Sequence, residues 1–235
     1  MSEARFQLHV ITDGKRQAND LHAIVERAVK GGADVIQLRY KSAPALDLYT
    51  LAQAISPTIQ AAGAGLLIND RVDVALAVEA QGVHLAAKSL PISSARPLLQ
   101  PHQLVGCSVH SVEEAIQAEQ TGASYITYGH IFATNSKPGL PPRGVDALRQ
   151  VVEAVNIPVL AIGGITKDNL EEVLAVGVAG IAVIGAVMAD EDPERASREL
   201  RDVMDNSVHR PKKALPSARS LASQAQGVTD GGVSR

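Results

Sequence analysis

The sequence predicts a single-domain (β/α)8 barrel, and three observations carry that reading. Short apolar runs recur along the chain, each followed by a stretch whose apolar residues have helical spacing. Their side chains are mostly Ala, Val, Leu and Ile, with no Trp and only 3% aromatic residues. Such a core suits a parallel sheet covered by helices. Polar residues gather just after the apolar runs, where a barrel displays its chemistry. An open doubly wound sheet is the alternative; it needs a switch in strand order, which a sequence does not display.

Taken in order, Phe6 to Ile11 reads as the first strand, stopped by Thr12-Asp13-Gly14. Asp20 is placed to cap a helix through Leu21, Ile24, Val25, Ala28 and Val29, which ends at Gly31-Gly32. Val35 to Arg39 is the second strand, followed by a helix from Ala45 to Ala62. Leu66 to Ile68 is the third strand, and Val72, Ala75, Leu76 and Val78 mark a short helix. Gly82 to Leu85 is the fourth strand, with Ser93 or Ser94 opening the next short helix. Leu104 to Val109 is the fifth. Ser111 with Glu114 three residues on is a capping box for a helix to Gln120.

Tyr125 to Ile131 is the sixth strand, followed by a helix from Val145 to Val155. Pro158 to Ile162 is the seventh, closed by Gly163-Gly164, and Thr166 or Asp168 caps a helix to Val176. Gly180 to Ile184 is the eighth, followed by Gly185, and Pro193 stands at the start of a last helix to Met204. This assigns residues 1–205 to the barrel. Residues 206–235 are Ser-, Ala- and Gly-rich with few large apolar side chains, a composition that predicts a disordered tail.

The totals narrow the function. The chain has 235 residues, 46% hydrophobic and 20% charged, with a formal net charge of −3. That balance gives no reason to expect nucleic acid or an anionic membrane as a partner. No signal segment and no bilayer-length apolar run is present, so a cytoplasmic location is expected. The single cysteine, Cys107, reads as a buried small hydrophobe. A homo-oligomer is compatible with all of this.

The candidate site follows from strand ends. Gln37, Arg39 and Lys41 follow the second strand, Asn69 and Asp70 the third, and His84 lies in the fourth. Ser108 and His110 end the fifth; a Ser–His pair is geometrically open to them, with no third residue to orient it. His130, Thr134, Ser136 and Lys137 follow the sixth strand, where Gly129 allows close approach to a ligand. Gly163, Gly164 and Gly185 stand where barrels often bind phosphate. Metal-ligand spacing, a dinucleotide fingerprint and a P-loop are all missing.

Six motifs together resemble the thiamine phosphate synthase superfamily. They are Gln37 to Lys41, Ile68 to Arg71, Gly82 to Leu85, Gly106 to Ser111, Gly129 to Thr134 and Val159 to Ile165. The resemblance implies one of two activities. The synthase joins a pyrimidine pyrophosphate to a thiazole phosphate with magnesium and releases pyrophosphate. The thiazole tautomerase aromatises the preceding thiazole carboxylate phosphate without a metal. The synthase pattern has Gly-Pro where this chain has Gly129-His130, and an acidic pair where it has Lys88-Ser89. The run Lys137 to Val145 is similar to the tautomerase loop, whereas Asp70 matches the synthase.

On those departures the chain is expected to be the tautomerase, an isomerase with no cofactor. His130 would be its acid/base, and the substrate a small thiazole phosphate. Gln37, Arg39, Lys41, Asn69, Ser108, Thr134 and Lys137 would bind that substrate, and Gly163, Gly164 and Gly185 its phosphate. The synthase is the first alternative, with magnesium, and a non-catalytic regulatory barrel the second.

Overall fold

The structure, a computed structural model, describes residues 5–230, with side chains to residue 224. Eight parallel strands close into a barrel in chain order, β8 pairing back onto β1. They are β1 (Gln7–Ile11), β2 (Val35–Leu38), β3 (Gly65–Asn69), β4 (Gly82–Leu85), β5 (Leu104–Val109), β6 (Tyr125–Gly129), β7 (Val159–Ile162) and β8 (Gly180–Val183). The predicted (β/α)8 architecture is therefore the observed one. The covering helices are α1 (Ala18–Lys30), α2 (Ala45–Ala61), α3 (Val72–Ala77), α4 (Ile92–Ala95), α5 (Val112–Gln120), α6 (Gly144–Ala154), α7 (Leu170–Leu174), α8 (Gly185–Met188) and α9 (Pro193–Asn206). Among the described residues no helix is long and apolar enough to cross a membrane.

Helix starts differ locally from expectation. Gln17, not Asp20, precedes α1; Asp20 lies in the first turn, where a carboxylate suits the positive helix end. Asn169 Oδ1 accepts from the Thr166 N–H (2.9 Å), so a turn fills the stretch expected to be helical and delays α7. Ser111 Oγ does accept from the Glu114 N–H (3.2 Å), but the Glu114 carboxylate reaches one residue further back, to the His110 N–H (2.6 Å).

Strand alternation divides the core in two. Outward residues such as Leu8, Ile36, Ile68, Val83 and Ile126 join the helices in one large cluster. Val35, Leu67, Leu104, Tyr125 and Leu160 face inward and fill the barrel. Gly106 makes room for Tyr125, since a Cβ there would overlap the phenol ring.

The expectation of a disordered tail does not describe residues 207–224. The Lys212 N–H donates to Gly177 O (3.0 Å), and Lys213 Nζ reaches Val152 O and Val155 O. Gln7 Nε2 donates from inside the barrel to Leu215 O (3.2 Å) and Pro216 O (3.0 Å). Leu215 and Leu221, the latter on α10 (Ala218–Asp230), are buried in the interior cluster. The segment thus plugs the end of the barrel where the strands begin. Composition misjudged it because these residues complete a core that already exists; each buried leucine contributes about 1.5–3 kcal/mol. Residues 231–235 of the expected tail lie outside the described residues.

Candidate active site

The opposite end, where the strands finish, is polar. Gln37 Nε2 donates to Asn69 Oδ1 (2.7 Å), and Asn69 Nδ2 donates to Asp70 Oδ2 (2.6 Å). The Ser89 hydroxyl bonds the other oxygen of Asp70 and itself accepts from the Ala86 N–H (2.7 Å). Beside this row, His84 Nε2 lies 2.9 Å from Ser108 Oγ and 3.3 Å from Thr127 Oγ1, and the two hydroxyls are 3.3 Å apart. All of these strand residues face inward by alternation.

Beneath them stand two buried histidines, His9 and His84. Burial pulls the His84 imidazole down to about 4. Burial first, and the neighbouring His84 second, pull His9 down to about 3. Both rings are therefore neutral at neutral pH.

The rim carries positive charge. Lys137 is half-buried, and its Nζ donates to His110 Nε2 (3.2 Å), so His110 donates through Nδ1 to Glu114 (3.3 Å). Burial, with the charges of Arg143 and Lys41, holds the Lys137 ammonium below its ordinary pKa. Lys41 is exposed, and Arg39 is half-exposed beside it. Thr134 turns its hydroxyl back onto its own loop, accepting from the Ser136 N–H (3.3 Å).

His130 is buried, with its Nε2 donating to Leu140 O (3.2 Å) and no partner at Nδ1 among the described residues. It lines an open cleft of about 350 Å³ with Tyr128, Lys137, Leu140 and Arg143. Gly163 packs on it: a Cβ at 163 would overlap His130 Cβ, and φ is +102°. Gly164, at φ +68°, is equally tight against the backbone of Phe132 and Ala133. Gly185 opens α8, and a Cβ there would meet nothing within 4 Å. Packing alone accounts for two of the three glycines assigned to phosphate; only Gly185 is free of it.

Several expected contacts are thus brought together. Gln37, Asn69 and Ser108 line one interior surface, and Lys41 and Lys137 share one field. Ser108 and His110 do not pair, because each has another partner: His84 for Ser108 and Lys137 for His110. Cys107 is only half-buried, and burial pushes its thiol up to about 11. Thr127, Tyr125 and Arg143 were not among the expected site residues. Inward alternation in the sixth strand was the available signal for the first two.

The family pattern described as thiamine monophosphate synthase matches residues 8–187. The chain belongs to this family. It is 46% identical over 201 residues to a thiamine-phosphate synthase of Chlorobium luteolum, covering 85% of this chain and 93% of that one. A thiamine-phosphate synthase of Roseiflexus sp. is 44% identical over 206 residues, covering 86% of both. Among solved structures, thiamine phosphate pyrophosphorylase from Pyrococcus furiosus superposes with a TM-score of 0.78 at 42% identity, covering 87% of this chain and 98% of that one.

These relatives overturn the expectation of a tautomerase and of an isomerase. That expectation weighed a few loop residues, chiefly His130 and Lys88-Ser89, above the chain as a whole. Proteins alike over 85% or more of this chain are synthases, and synthases are transferases. The acid/base role given to His130 falls with it; in the fold, its imidazole holds the loop through Leu140 O.

Proposed function

We propose that the protein is a thiamine-phosphate synthase, a transferase that joins a pyrimidine diphosphate to a thiazole phosphate and releases diphosphate. The observation that carries this reading is identity of 39–46% to proteins so named, over 83–86% of the chain. The polar end of the barrel is consistent with it. In the reaction a carbon–nitrogen bond forms at the pyrimidine methylene as its carbon–oxygen bond to diphosphate breaks. The leaving diphosphate takes the electron pair and gains negative charge. Preorganised cations at that position lower the barrier, and Arg39, Lys41 and Lys137 are the proposed ones. Gln37, Asn69, Ser108 and Thr134 are proposed to orient the substrates, and the backbone at Gly163, Gly164 and Gly185 to hold the thiazole phosphate.

Magnesium belongs to this reading. A magnesium ion takes one or two carboxylates and completes its shell with substrate phosphates and water. Asp70 supplies one carboxylate with a hydroxyl, Ser89, already against it, so the donor set fits. The ion would supply charge neutralisation to the diphosphate; Asp70 and Ser89 would hold it. Among the described residues no three His, Cys, Asp or Glu side chains converge; substrate phosphates and water would fill the rest of the shell.

The test is incubation with both substrates, with and without magnesium, measuring thiamine phosphate and diphosphate. Equal amounts of both products, lost in EDTA and restored by magnesium, are expected. Failure to form either product from pure, folded protein removes the reading.

A further inference from the structure

Tyr125 is fully buried on β6, and among the described residues its hydroxyl has one hydrogen-bond partner, His84 Nδ1, at 3.0 Å. Burial drives its pKa far up, so the phenol keeps its proton. A buried O–H needs an acceptor. The O–H therefore donates to His84 Nδ1, which must be bare. An imidazole whose Nδ1 is bare carries its one proton on Nε2. There it points at Ser108 Oγ (2.9 Å) and, at longer range, Thr127 Oγ1 (3.3 Å).

We propose that Tyr125 and His84 form a buried tautomer lock that fixes Ser108 as a hydrogen-bond donor toward the mouth of the barrel. Because Ser108 Oγ accepts from His84, its own proton is not spent on Nε2 and can turn from Thr127 Oγ1, a long contact at 3.3 Å, to a ligand at the mouth. Ser108 is half-buried at the end of β5, so the donor is within reach of a bound molecule. Such a donor fits an acceptor-rich ligand, and a diphosphate oxygen is the ligand that the transferase reading supplies; only the identity of that ligand rests on it. In the opposite tautomer Ser108 would spend its proton on Nε2 and present lone pairs to an anion. His9 packs edge-on against Tyr125, ring centroids 5.8 Å apart, and is held in turn by Gln7 Oε1 (3.0 Å), so the phenol has no room to turn away. Tyr125 and His84 are positioning residues; neither touches the ligand.

The experiment has two arms. In the first, ¹⁵N NMR of the intact parent reads the His84 tautomer directly. A proton on Nε2 and a bare Nδ1 are expected, and a proton on Nδ1 overturns the lock. This arm needs no substitution and no ligand. In the second, calorimetry measures inorganic diphosphate binding in the presence of magnesium. Ser108→Ala and Tyr125→Phe should each weaken binding roughly tenfold, as for one hydrogen bond to a charged group. The double variant should be no weaker than either single one, because both remove the same donor. Additive losses, or Tyr125→Phe binding like the parent, overturn the proposal. If the parent itself does not bind diphosphate, the transferase reading fails, and the lock stands or falls on the tautomer.

Discussion

Where the strands finish, Gln37, Asn69, Ser108 and Thr127 line the interior and Lys137 stands half-buried among other cations. Where they begin, Leu104 and Leu160 meet Leu215 and Leu221 in an apolar cluster capped by the C-terminal segment. One closed sheet thus carries a polar end held open by hydrogen bonds and an apolar end shut by packing. The two ends divide the work. Ordering charge at the first end is unfavourable for folding, and burial at the second offsets it. His9 and His84 lie between, buried and neutral.

Substitutions that respect this division should separate activity from stability. The largest effect is expected at the polar end. Lys137→Ala should lower kcat/KM by about 10²–10³-fold, the usual effect of losing one preorganised charge partner, with an unchanged melting temperature. A loss of thermal stability equal to that of a core variant would blur the two ends.

Leu215→Ala is the complementary break. It should destabilise the fold by about 2 kcal/mol, the low end for a buried leucine because the cavity opens at the rim, while the folded fraction keeps its KM. Denaturant melts and kinetics on the same sample decide it; stability matching the parent's would mean that the plug closes nothing.

The middle layer gives a pH signature. His9 and His84 titrate at about 3 and about 4 in the folded chain, against 6.5 for an ordinary histidine. Between those limits the unfolded state binds protons that the folded state refuses. Their stabilisation is therefore complete above 6.5 and is lost as pH falls toward 4, by at most about 1.4 kcal/mol per unit for each ring. Thermal melts from pH 7 to pH 5 should show the fall, and His84→Gln should shallow it. A profile unchanged by His84→Gln would mean that the ring is protonated in the fold.

The smallest effect sharpens the phosphate assignment. Gly185→Ala adds a methyl where nothing lies within 4 Å, so stability should hold. A rise in KM of a few fold would then report close approach of phosphate to that backbone. Unchanged affinity for inorganic phosphate would place the phosphate elsewhere. Gly164 cannot serve here, because its positive φ and tight packing would cost stability first.

Much of the polar end was legible in the sequence, since every strand is short and its last inward residue can be counted. Gln37, Asn69 and Ser108 follow from alternation alone. The link from Tyr125 through His84 to Ser108 does not, because it joins three strands at a register that only closure of the barrel defines. The apolar end was misread for a different reason. Leu215 and Leu221 are separated by Pro216, Ser217, Ala218, Arg219 and Ser220, so no periodic run betrays them. Their partners, Val35, Leu67 and Leu160, lie far away in the chain. The activity was misread at the loops, where His130 and Ser89 change without changing the strands that carry the identity to synthases.

The plug also imposes an order on synthesis. A growing chain emerges N-terminus first, and β1 waits for β8 before its second edge is paired. Even then the interior apolar layer stays uncovered, because Leu215 and Leu221 come more than thirty residues after β8. A nascent barrel stalled before that point exposes leucine surface at its open base, a natural foothold for a chaperone. The finished barrel hides that foothold with a segment made only after all eight strands, so closure of the sheet precedes burial of its apolar base.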